Sequence, residues 1–151
     1  MIQGVEIKKL VRHSDDRGFF MEILRDDDKL LKNFGQASLS KSYPGVIKAF
    51  HYHKKQDDIW FFPAGNAQVV LYDVREESPT KGETNVFYLG EDNPQILLIP
   101  VGVAHGYRVL GSSPAIIVYF TSQSYDPADP DEYRIPWDDS EINFDWSTKN
   151  R

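Results

Sequence analysis

The chain has 151 residues, a formal net charge of −6, 40% hydrophobic residues and no cysteine. That length suits a single domain, expected over residues 1–151, and the missing cysteines exclude disulfides, cysteine zinc fingers and thiol nucleophiles. The acidic balance argues against a nucleic-acid partner. No stretch approaches the about 20 apolar residues of a membrane span, and Met1–Leu10 has no leader-type apolar run, so a cytoplasmic protein without a membrane partner is expected.

The first periodic segment is helical in type: Asp26 to Asn33, where aspartates lead into Lys29-Leu30-Leu31-Lys32. Strand-type runs follow, broken by turn residues. They cover Ala37–Ser42, Val46–His53, Asp58–Phe62, Ala67–Val74, Thr84–Leu89, Gln95–Ile99, His105–Leu110 and Ala115–Thr121. In Ala67–Val74, alternation allows one side chain in two to face a core. Turns such as Pro63-Ala64-Gly65-Asn66 and Gly111-Ser112-Ser113-Pro114 recur at short spacing, which predicts an all-β sandwich or barrel. The Pro-, Asp- and Tyr-rich tail from Ser122 reads as an extended segment held on the barrel by Trp137, Phe144 and Trp146. Small acidic clusters in the last quarter read as solvated surface.

His51 and His53 are two apart, so on a strand they share a face. They stand in Gly45-Val46-Ile47-Lys48-Ala49-Phe50-His51-Tyr52-His53, with Asp58 and Gly65 beyond, and Pro100-Val101-Gly102-Val103-Ala104-His105 follows later. The two segments resemble the paired motifs of the cupin superfamily, with Asp58 where a Glu is usual. The resemblance implies a cupin, or double-stranded β-helix (jelly-roll), barrel whose mouth is lined by His51, His105 and Tyr119. In metal cupins such a set, here His51, His53, Asp58 and His105, holds one divalent ion, and the residue types suit Fe, Mn, Ni or Zn. The residues alone leave a second reading open, with His53 a polar rim residue and Asp58 a solvated charge.

A second resemblance runs nearly end to end. Its blocks are Asp15-Asp16-Arg17-Gly18-Phe19-Phe20-Met21-Glu22, Gln36-Ala37-Ser38-Leu39-Ser40, Asp73-Val74-Arg75-Glu76-Glu77-Ser78-Pro79-Thr80-Lys81-Gly82, Ile99 to Gly106, Tyr119 with Tyr125-Asp126-Pro127, and Ile135-Pro136-Trp137-Asp138-Asp139 with Ile142 and Trp146. In this order they resemble the dTDP-4-dehydrorhamnose 3,5-epimerase family. That resemblance implies an isomerase for a nucleotide-linked 4-keto-6-deoxy sugar, in deoxysugar or surface-polysaccharide synthesis, with no metal or redox cofactor. Inverting a carbon beside a ketone needs a base on one face, a proton donor on the other, and a group that holds the enolate oxygen. His51 matches the family's base and Tyr119 its acid. Arg17, Glu22 and Gln36 match residues that touch the nucleotide. Lys48 stands where the family has Arg, keeping the charge but not the bidentate fork. Arg75 is a further candidate for the pyrophosphate, and His105 is expected to face the sugar or its phosphate. Read from the residues alone, Tyr119 is equally a core aromatic, and Arg17 with Glu22 a surface turn with a salt bridge. The family resemblance also implies a homodimer with exchanged N-terminal strands.

The departures gather at the centre. Asp58 replaces a family lysine that stabilises the enolate, and Val69 replaces an aspartate inside the barrel. The carboxylate that orients the base falls beyond Arg151. His53 stands where the family has Gln, a detail shared with the related sugar 3,4-ketoisomerases. The alternatives to an epimerase are therefore a metal-dependent cupin, such as a dioxygenase, or a nucleotide-sugar-binding cupin without catalysis.

Overall fold

The computed structural model describes residues 1–149. Twelve strands carry the fold: β1 (Glu6–Lys9), β2 (His13–Asp15), β3 (Gly18–Phe20), β4 (Gln36–Ser42), β5 (Ile47–Tyr52), β6 (Asp58–Ala64), β7 (Asn66–Asp73), β8 (Thr84–Gly90), β9 (Gln95–Ile99), β10 (Val103–Leu110), β11 (Ala115–Thr121) and β12 (Tyr133–Arg134). Two five-stranded sheets face each other, in the orders β1-β9-β6-β11-β4 and β12-β5-β10-β7-β8, while β2 and β3 form a separate hairpin. Every pairing is antiparallel. The predicted strands at Gln95–Ile99 and Ala115–Thr121 form with those bounds, and the other six shift by one or two residues at one or both ends. The predicted helix does not form. Only a 3-10 turn at Asp26–Asp28 survives, ended by Lys29 in the left-handed region (φ 56°). Leu30 and Leu31 instead pack on the sheet below them.

The period-two rule explains the core and its two outer layers. Trp60 and Phe62 of β6, Leu97 and Ile99 of β9, and Ile117 of β11 meet Val69 and Leu71 of β7 and Tyr107 and Val109 of β10 between the sheets. The alternate residues are buried too. Ile59, Phe61, Ile96 and Leu98 lie under Leu10, Met21, Ile23 and Leu24. Phe50, Val70, Tyr72 and Ala104 lie under Ile142 and Trp146 of the tail. This is why β6, β7 and β9 read as continuous apolar runs: both faces of these strands are covered. The expectation that Ala67–Val74 buries one residue in two therefore understates it; Ala67 through Asp73 are all buried. The tail does pack as expected through Phe144 and Trp146, with ring centroids 4.8 Å apart and Trp146 5.4 Å from Phe50. Trp137 is the exception: its ring is exposed, and it holds Trp146 through its backbone carbonyl, which accepts from the indole N–H at 3.1 Å.

Two glycines set the geometry near the site. A Cβ on Gly106 would lie 2.3 Å from the Ala49 Cβ, so its bare backbone lets β10 and β5 approach and sets His105 opposite His51. Gly102, in the turn before His105, has φ +75°, and a Cβ there would fall 2.5 Å from Arg75 Cγ.

Candidate active site

Strand parity aims the chemistry inward. Tyr119 lies two residues beyond Ile117, His105 two beyond Val103, and Asp58 two before Trp60, all on the faces that meet between the sheets. His51 and His53 point the same way from β5 and the turn after it. A cavity of about 1030 Å³ opens there, lined by His51, His53, Asp58, Trp60 and Tyr119, with Gln36 and Lys48 at its sides. His51 belongs to one sheet and Tyr119 to the other, so the two stand on opposing walls.

The base of this cavity is a knot of aromatic nitrogen heterocycles around one carboxylate. The rings of His51 and His105 have centroids 4.2 Å apart, and His53 is 5.4 Å from each. Asp58 Oδ2 lies 3.6 Å from His53 Nε2 and 3.7 Å from His105 Nε2. Asp58 also accepts from Gln56 Nε2 at 2.8 Å and Trp60 Nε1 at 3.3 Å. Burial, then the neighbouring His105 and His53 rings, pushes His51 well below the ordinary histidine value, with Asp58 and Glu132 pulling weakly the other way. Burial and His53 likewise push His105 down to about 3. For His53 burial also acts downward, but the hydrogen bond and charge of Asp58 outweigh it and the net shift is upward. His51 is therefore an uncharged imidazole at neutral pH, with a lone pair available to take a proton.

The sequence-predicted residues divide. His51, Tyr119, Gln36 and Lys48 come together around the cavity. Lys48 Nζ donates to Ser40 at 3.0 Å, and Gln36 Oε1 accepts from the Tyr125 N–H at 2.8 Å, pinning the start of the tail. Arg17 and Glu22 do not join them within one chain. Arg17 sits on the β2–β3 hairpin paired with Asp15, and Glu22 pairs with Arg25. His105, expected to face the sugar, is instead fully buried behind His51, its Nδ1–H donating to the Val103 carbonyl at 2.8 Å. Asp58 is no solvated charge: it is 2% exposed. Arg75, a candidate for the pyrophosphate, is spent on buried Asp73, which it meets through Nε and Nη2, each at 2.8 Å.

Sequence reasoning missed the tail's part in the site. Asp131, in an acidic stretch expected to be solvated, accepts from the backbone N–H of Lys54, Lys55 and Gln56 at 2.8, 2.7 and 3.2 Å, and its own carbonyl meets His53 Nδ1. Arg134, the register partner of His51 across β12 and β5, lines the cavity with a largely exposed side chain that pairs with Glu132 at 2.6 Å. The one available signal was that Pro- and Asp-rich segments favour local caps and turns.

Two facing antiparallel sheets around an imidazole- and phenol-walled cavity make this a cupin-type barrel. The family model described as dTDP-4-dehydrorhamnose 3,5-epimerase matches residues 1–151, and the chain belongs to that family. It is 71% identical to the spore coat polysaccharide biosynthesis protein SpsL of Bacillus subtilis, over the whole of both chains. It is 39% identical to the probable low-salt glycan biosynthesis epimerase of Haloferax volcanii, over 98% of this chain and 96% of that one. Among solved structures, the dTDP sugar isomerase of Desulfovibrio desulfuricans superposes with a TM-score of 0.90 at 30% identity, covering 99% of this chain and 94% of that one. The RmlC epimerase of Legionella pneumophila, solved with dTDP-4-keto-L-rhamnose, gives a TM-score of 0.87 at 29% identity, covering 99% and 82%.

Proposed function

We propose that this chain epimerises C3, C5 or both in a nucleotide-linked 4-keto-6-deoxy sugar, in the cytoplasm, for polysaccharide synthesis. The carrying observation is that His51 and Tyr119 line one cavity from opposing sheets. Inversion beside a ketone needs that arrangement: removal of a proton from one face and delivery to the other. His51, uncharged, takes the proton. The Tyr119 hydroxyl returns one from across the cavity. Lys48 and Arg134, at the cavity wall, offer positive charge to the pyrophosphate.

A homodimer completes the site in this reading. β4 is the free edge of its sheet and contributes Gln36 and Ser40 to the cavity. The β2–β3 hairpin presents exposed Phe19 and Phe20, and β4 presents exposed Leu39. A partner's hairpin laid along β4 brings its Arg17 and Glu22 within reach of the nucleotide.

The test is proton exchange in D₂O with dTDP-4-keto-6-deoxyglucose, followed by NMR. Exchange at C3 or C5 is expected, falling about 10²- to 10⁴-fold in His51→Asn and in Tyr119→Phe. Undiminished exchange in His51→Asn removes His51 as the base, and no exchange by the unaltered protein with this or other nucleotide-linked 4-keto sugars removes the reaction.

A further inference from the structure

His51 is the one histidine of its cluster that no hydrogen bond holds. Backbone carbonyls fix the other two rings, that of Val103 on His105 and that of Asp131 on His53. Neither ring nitrogen of His51 has a hydrogen-bond partner among the described residues. Its ring packs edge-on to His105, with centroids 4.2 Å apart, and lies 6.1 Å from Trp60. Packing sets the plane of a ring but not which nitrogen carries the hydrogen; a hydrogen bond to one nitrogen does that. Five carboxylates line the cavity, those of Asp58, Asp126, Asp129, Asp131 and Glu132. Four are committed elsewhere. Asp58 accepts from Gln56 and Trp60, Asp131 from three backbone N–H groups, Asp129 pairs with Lys55 at 2.6 Å, and Asp126 caps the turn at Ala128. Glu132 differs. Arg134 donates to it from both Nε and Nη2, at 2.7 and 2.6 Å, and both bonds end on Oε1. Oε2 has no partner among the described residues.

Strand pairing puts Glu132 beside His51. Phe50 and Ile135 exchange both backbone hydrogen bonds, each at 2.9 Å, and Arg134 faces His51 in the next register. Tyr52 and Tyr133, of the opposite parity, stack with centroids 5.2 Å apart and hold that register. Glu132, two residues before Arg134, shares its face and is the diagonal neighbour of His51, a spacing of about 7–8 Å that long side chains span. Asp131, next to it, pins this stretch to the β5–β6 turn. We propose that Glu132 is the positioning residue of His51: its free Oε2 accepts from one ring nitrogen, so that the other keeps its lone pair toward the sugar. A turn of the Glu132 side chain, which is 36% exposed, closes the contact. Catalytic hydrogen bonds commonly tighten in this way as a site fills. The Glu132 charge already acts on His51. The carboxylate also offsets the imidazolium that forms once His51 holds the substrate's proton. The role rests on the epimerase reading; the contact does not.

The experiment reads the four histidines of the ¹⁵N-histidine-labelled full chain by long-range ¹H–¹⁵N NMR, free and with dTDP, His51 being assigned from His51→Asn. In the unaltered protein His51 should show one nitrogen of N–H type and one bare, a single tautomer. In Glu132→Ala the two should move toward each other as the tautomers mix, while His53 and His105 keep their positions. In the proton-exchange assay Glu132→Ala should lower kcat at least about tenfold, with KM moving less than about threefold. Added formate should restore part of the rate in Glu132→Ala and none in His51→Asn. A His51 pattern unchanged by Glu132→Ala in both states overturns the contact, and an unchanged kcat or no rescue by formate overturns the role. If the unaltered protein exchanges no sugar proton, the epimerase reading falls and the NMR comparison still decides the contact.

Discussion

Replacing Asp73 by alanine should cost more stability than any surface change in this protein. Its carboxylate has no exposed surface and accepts five hydrogen bonds. Three come from Arg75, at 3.1, 2.8 and 2.8 Å. The Ser78 and Thr80 hydroxyls each give one at 2.6 Å. Alanine would leave the Arg75 guanidinium, with a side chain 26% exposed, without its counter-ion, and two hydroxyls without their acceptor. Breaking a buried pair from one side costs about 3–5 kcal/mol, which for a chain of this size lowers Tm by roughly 6–20 °C. The dependence on pH fixes the cause. Burial pushes the Asp73 carboxyl up, but the bonds from Arg75, Ser78 and Thr80 outweigh it and hold the group well below the ordinary carboxylate range. A carboxyl depressed in the folded state stabilises above its unfolded pKa, near 3.9, and loses that contribution as pH falls toward the folded value. The gap between wild type and Asp73→Ala, read by urea denaturation, should be flat from about pH 5 to 8 and narrow progressively as pH falls below about 4. A gap under about 1 kcal/mol at pH 7, or one that does not narrow between about pH 5 and pH 2.5, would refute the reasoning.

Gly102→Ala should cost roughly 2–4 kcal/mol in the same assay, since it adds left-handed strain at φ +75° to a contact of 2.5 Å with Arg75 Cγ. Asp131→Ala removes the acceptor of three backbone N–H groups and should lower stability by about 1–3 kcal/mol. Amide exchange at residues 54–56 should accelerate, and unchanged protection there would deny the tail its anchoring role. Lys48→Met should raise KM several-fold with little change in kcat if this lysine holds the pyrophosphate. Arg75→Met should leave KM unchanged while lowering Tm, because its guanidinium is committed to Asp73.

The strands were legible because residue type and period two are local properties. Gln95–Ile99 and Ala115–Thr121 follow from apolar runs alone, and the same rule put His51 and His53 on one face. β1, the β2–β3 hairpin and β12 were not legible. They are short, mostly polar, and strands only because β9, β5 or each other offer a partner. The helix expected at Asp26–Asn33 yielded because Leu30 and Leu31 do more by covering the outer face of a sheet than by completing an isolated turn.

The sequence by itself determined an all-β chain of this family and a histidine pair aimed one way, and it offered Tyr119 as the candidate proton donor. Only the tertiary structure decided what the charges do. Asp58 read either as one of a metal-holding set or as a solvated charge, the acidic stretch around Asp131 as solvated surface, and Arg75 as a candidate for the pyrophosphate. Whether a charged group meets water, a partner or a substrate depends on residues far off in sequence that pairing brings beside it. β6 and β10 carry Asp58 to His105 across 47 residues, the β5–β6 turn receives Asp131 from the tail, and no local pattern encodes either distance.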